Sequence, residues 1–123
     1  MTVRITQAEH EVMKVLWAKP NVGAAEIATK LEGQQDWNIR TIKTLLSRLV
    51  EKGALSTTRE GRRFLYTPTI AEQDYKTTEV GQLVDRLFEG RAAPLVAQLA
   101  DSRGLTQADI AELQAILEEI KND

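Results

Sequence analysis

The stretch 37–68, WNIRTIKTLLSRLVEKGALSTTREGRRFLYTP, leaves this chain few folds to choose from. With Asn38 as cap and about 100° per residue, Ile39, Ile42, Leu45, Leu46, Leu49 and Val50 fall on one apolar arc. Arg40, Lys43, Thr44 and Ser47 cluster opposite. Such a helix buries one face and offers the other. The offered face is cationic and hydroxylic: Arg and Lys can reach guanine edges or phosphates, and small hydroxyls permit close approach to a groove. Gly53 suits the left-handed position after a helix, with Lys52 at the negative end of the helix dipole. Beyond it, Leu55–Arg59 and Arg63–Pro68 are two short runs rich in Thr, Phe and Tyr, with Glu60-Gly61-Arg62 as the turn between them. A basic amphipathic helix followed by a hairpin tipped with Arg59, Arg62 and Arg63 is the pattern of a winged helix-turn-helix.

The preceding residues supply the other two helices that this fold needs. Thr6 and Glu9 form a capping box, after which Ala8, Val12, Val15 and Leu16 recur at helical spacing until Pro20 ends the element. Trp17 is expected as a core anchor and His10, the only histidine, as a packing or surface residue. Asn21-Val22-Gly23 reads as a turn, 24–31 as a short helix with Ile27, Ala28 and Leu31 inward, and Trp37 as a plug at the corner before the basic helix. These elements make a DNA-binding domain over 1–70.

From 71 the pattern is helical throughout. Val80, Leu83, Val84, Leu87 and Phe88 form a stripe that Gly90 stops; a short helix from about Ala92 carries Leu95, Val96 and Leu99. The last helix starts at a Thr106/Asp109 capping box, with Leu105 stapled to Ile110 and a stripe of Ile110, Leu113, Ile116, Leu117 and Ile120. Some 50 residues make a small core. The apolar stripes of 71–123 are therefore expected to pair with a second copy in an α-helical dimerisation domain, the alternative being that they pack back on the first domain. The fold class is mainly α with a small β-hairpin wing.

A net charge of −2 argues at first against a polyanionic partner, but its distribution reverses that reading. Residues 38–66 hold seven Lys/Arg against two Asp/Glu, whereas 71–123 hold five against eleven. A basic middle and an acidic tail suit one half that touches DNA and one that must not. The chain has no cysteine, which removes disulfides, thiolate metal sites and cysteine nucleophiles. It also lacks a Gly-rich phosphate loop, a Ser/His/Asp set and a metal-ligand cluster, so neither an enzyme nor a cofactor is expected. No apolar run spans a bilayer and the first ten residues lack a signal-peptide core, which points to the cytoplasm without membrane insertion. The competing reading is a winged-helix protein-interaction module whose basic face meets an acidic partner.

Taken together, Trp37, the run Thr41–Leu49 with Lys52-Gly53, Glu60-Gly61-Arg62, Tyr66, Phe88-Glu89-Gly90 and the ending Leu113–Lys121 resemble the BlaI/MecI penicillinase repressors, to which the copper-responsive CopY repressors are related. The resemblance covers nearly the whole chain. It implies a dimeric repressor with a dyad-symmetric double-stranded operator as partner, bound through the winged helix. Arg40, Thr41, Lys43, Thr44 and Arg48 match the family's DNA-facing helix positions, and the wing arginines, Arg62 and Arg63 among them, match its backbone-contacting hairpin. Thr41 and Arg48 sit on the flank of the helix and suit phosphates; Arg40 and Lys43 suit base readout. The resemblance further implies that the C-terminal helices dimerise, and the apolar stripes offer Val80, Leu83, Val84, Leu87, Phe88, Leu95, Leu99, Leu113 and Leu117 for that interface. In the β-lactam members it implies release by a membrane sensor and a regulatory protease that cuts an Asn-Phe bond, where this chain has Gln98-Leu99. The CopY branch uses a cysteine-rich motif, and a chain without cysteine excludes thiolate sensing of copper or zinc.

Overall fold

The computed structural model describes residues 3–122. Among these, α1 (Gln7–Ala18), α2 (Ala24–Leu31) and α3 (Ile39–Glu51) precede an antiparallel hairpin of β1 (Leu55–Glu60) and β2 (Arg63–Pro68). Three helices follow: α4 (Glu72–Phe88), α5 (Ala92–Ser102) and α6 (Gln107–Lys121). The chain divides into two compact units between Thr78 and Glu79, within α4.

In the first unit the sequence signals translate directly into caps. Thr6 N–H donates to Glu9 Oε1 at 2.8 Å, and Glu9 N–H donates back to Thr6 Oγ1 at 3.1 Å. Asn38 Oδ1 accepts from Thr41 N–H at 2.9 Å and starts α3. At the other end of α3, Gly53 takes φ +83°, Ala54 N–H reaches Leu49 O and Gly53 N–H reaches Val50 O, which together make a Schellman motif. Val12, Met13 and Leu16 of α1, Ile27 and Leu31 of α2, and Ile42, Leu45, Leu46 and Leu49 of α3 interlock as one core. Ala54 and Leu55 continue it into β1, and Trp17 and Trp37 pack half-buried against it. Trp17 also donates its indole N–H to Ile70 O at 2.9 Å, and its ring meets His10 and Tyr75 in an aromatic trio.

Three details depart from the sequence reading. Ile39 and Val50, assigned to the inward arc of α3, are exposed. Both lie at the edge of the apolar arc next to Lys43, about 70–90° around the helix from the centre of the buried stripe. The hairpin pairs Glu60 with Arg63, so the loop is the two residues Gly61-Arg62 rather than three; Gly61 has φ +65° and Arg62 does not turn positive, as in a type II′ hairpin. Finally, Val22 is no mere turn residue. It is buried and bridges Tyr66: Tyr66 N–H donates to Val22 O and Asn21 N–H to Tyr66 O, both at 2.9 Å, fastening the hairpin to the α1–α2 connection.

In the second unit no described residue is buried. Leu83, Val84, Phe88, Leu95, Leu105, Ile110 and Leu113 are half-buried, and Val80, Leu87, Leu99, Ile116, Leu117 and Ile120 are exposed. Thr106 and Asp109 form the capping box of α6. No helix among the described residues is long and apolar enough to cross a membrane.

Candidate nucleic-acid interface

Ile42, Leu45, Leu46 and Leu49 are each at most 6% exposed, so α3 is fixed along its inner side and its outer side is rigidly presented. Arg40, Lys43, Thr44, Ser47 and Arg48 are all exposed there. Arg40, Lys43, Thr44 and Ser47, with Ile39, line one shallow concavity. Arg40, Lys43 and Arg48 hold no ion pair among the described residues, leaving three guanidinium or ammonium groups free to meet an anion. Thr44 donates its hydroxyl to Arg40 O at 3.0 Å, one turn back along the helix. Thr41 is half-buried and its hydroxyl donates to Asn38 Oδ1 at 3.2 Å, so it belongs to the helix cap as well as to the flank.

The hairpin arginines divide into distinct roles. Arg62, on the loop, is exposed and unpaired among the described residues. Arg59 lies over the Phe64 ring, 5.4 Å from its centroid, a cation–π contact that stiffens the wing. Arg63 spans two carboxylates, Nη1 on Glu26 Oε1 and Nη2 on Glu60 Oε1 at 3.1 Å. Glu26 also accepts Gly23 N–H at 3.0 Å, the chief cause holding its carboxyl below the ordinary range; Arg63 adds to it, and the Glu60 and Glu26 carboxylates in turn raise the guanidinium. Arg63 therefore fastens the wing to the start of α2.

A second fastening lies at the far end of α3. Lys52 Nζ donates to Glu9 Oε1 and to Arg4 O at 2.8 Å, joining the C-terminus of α3 to the N-terminus of α1. Glu9 is only 1% exposed and its Oε2 has no hydrogen-bond partner among the described residues. Burial opposes ionisation, yet Lys52 and the Thr6 N–H and hydroxyl outweigh it and hold the carboxyl below the ordinary range. The sequence shows Glu9 only as a capping residue and does not single out Glu26. The signal for each was an acid three residues after a cap, whose cationic partner stands 43 residues on for Glu9 and 37 for Glu26.

A three-helix core, an exposed cationic helix face and an arginine-bearing hairpin define a winged helix-turn-helix of the nucleic-acid-binding class. The sequence profile of the penicillinase repressor family matches residues 5–119. The penicillinase repressor of Bacillus licheniformis is 39% identical over 97% of this chain and 93% of its own length. The methicillin resistance regulatory protein MecI of Staphylococcus aureus strain N315 is 32% identical over 94% of each. The solution structure of the monomeric Bacillus licheniformis BlaI in complex with the blaP half-operator matches 58% of this chain and 88% of that one, at 46% identity and a TM-score of 0.51. The chain belongs to the penicillinase repressor family.

Proposed function

We propose that this protein is a dimeric transcriptional repressor that binds a dyad-symmetric operator, reading it with α3 and gripping its backbone with the wing. One observation carries the proposal: the unpaired Arg40, Lys43 and Arg48 stand on the exposed side of a helix whose opposite side is locked in the core. The half-operator bound by the BlaI relative supports it. In this reading Arg40 and Lys43 contact base edges; Thr44 and Ser47 allow close approach; and Thr41, Arg48 and Arg62 contact phosphates. Arg63, already neutralised by two acids, positions the wing.

Dimerisation belongs to the second unit. Leu117 and Ile120 are 58% and 63% exposed, and Val80, Leu87, Leu99 and Ile116 are exposed across α4, α5 and α6, which supports pairing with a second copy. Were release to use a regulatory protease coupled to a sensor, the matching bond is Gln98-Leu99, which departs from the Asn-Phe bond cut in the β-lactam members. The Gln98-Leu99 bond lies within α5, where Gln98 O accepts the Ser102 hydroxyl at 2.7 Å. Cleavage there requires local opening of the helix, since proteases act on unfolded segments.

The test of repression is a pair of titrations of a labelled duplex from upstream of the protein's own gene, one with the protein and one with Arg40→Ala or Lys43→Ala. Each variant is expected to lose about 1–3 kcal/mol of specific binding while keeping the dimer. Unchanged affinity in both removes these residues from the readout.

A further inference from the structure

We propose that Ile39 is a specificity-determining residue that reads the C5-methyl group of a thymine in the operator; this rests on α3 being the DNA-reading helix. Ile39 is the first residue of α3 and is 43% exposed, although the helix buries four other aliphatic side chains completely or nearly so. It is not spare core. Ile39 lines the same shallow concavity as Arg40, Lys43, Thr44 and Ser47, and it is the one purely apolar side chain there. Four residues separate it from Lys43, so the two stand side by side about 40° apart on the helix surface.

The chemistry of the major groove gives such a side chain one partner. Among the base edges displayed there, guanine offers acceptors, cytosine a donor and adenine one of each, while the thymine methyl is the apolar group. Recognition helices place their N-terminal residues against base edges, and Ile39 heads α3. A branched aliphatic group beside an unpaired ammonium thus selects a thymine next to an acceptor-rich base, with Lys43 taking the guanine N7 or O6. Val50, the other exposed aliphatic of α3, stands at the opposite end of the helix and outside this concavity. Of the two exposed aliphatic side chains of α3, only Ile39 therefore lies in the concavity, and Ile39→Ala separates its contribution from that of the Thr44 methyl.

The experiment replaces each thymine of the native duplex, one at a time, by 2′-deoxyuridine, which removes the methyl and alters no hydrogen-bonding group. Fluorescence anisotropy is measured for the full-length protein and for Ile39→Ala. At one thymine per half-site the wild type is expected to bind the uracil duplex about three- to fivefold more weakly, the loss of one buried methyl contact. Ile39→Ala is expected to bind both duplexes alike and to keep the wild-type salt slope. Equal wild-type affinity for every thymine and uracil pair, with preference over a scrambled duplex retained, overturns the role of Ile39 and leaves the operator reading intact. Discrimination that persists in Ile39→Ala overturns it too. A wild type that cannot tell native from scrambled duplex overturns both. The wild-type comparison needs no variant and so stands whether or not Ile39→Ala folds.

Discussion

Glu9 and Lys52 show how a single pair fixes the reading helix. The acid sits at the start of α1 with almost no solvent contact, and the lysine caps the end of α3. Because the folded pKa of Glu9 lies below its ordinary value of 4.5, the stabilisation is complete above that value and is lost as pH falls through the lower, folded one. Glu9→Gln keeps the shape and removes the charge. It is expected to cost about 1–3 kcal/mol at neutral pH and to flatten the acid limb of the stability profile. Urea unfolding of both proteins between neutral and acid pH checks this; an unaltered acid limb would mean another carboxylate sets it. Lys52 was legible as a dipole-complementing residue and Glu9 as half of a capping box. Their union was not, since spacing within a helix says nothing about a partner 43 residues away.

Among the elements, α3 was legible from its cap, its period and its terminating glycine, and α6 from its Thr106/Asp109 capping box. What the sequence reading misassigned were Ile39 and Val50, which share the apolar arc but lie at its edge beside Lys43, where the buried stripe gives way to solvent. The hairpin was legible from its Thr, Tyr and Phe content and from Gly61, but Val22 was not readable as its third partner, since one bridging residue leaves no alternation. The wing arginines looked equivalent in sequence and are not. Arg62→Ala is expected to reduce the slope of log affinity against log salt by about one, as a lost phosphate contact does. Arg63→Ala should change that slope less, because Glu26 and Glu60 already balance its charge, and should instead lower affinity at all salt concentrations by loosening the wing. Equal slope changes in the two variants would assign Arg63 to the DNA backbone.

At the scale of the whole molecule, the charge is segregated along the chain: the basic residues gather in α3 and the hairpin, while the apolar faces left without cover gather in α4, α5 and α6. A reading head gains affinity for a dyad when two copies are joined, because the second half-site is then met at high effective concentration. Leu87→Asp, on an exposed apolar position of α4, is expected to give monomers by sedimentation and to lose operator affinity with the head untouched. A dimer that persists would place the interface elsewhere. The central claim is sequence-specific, electrostatically driven DNA binding, and an anisotropy salt series with the native upstream duplex against a scrambled one tests it most directly. Preference for the native duplex, with affinity falling steeply as salt rises, is the predicted result. Equal binding of both duplexes at every salt concentration would contradict it and turn the basic face of α3 toward an acidic protein partner.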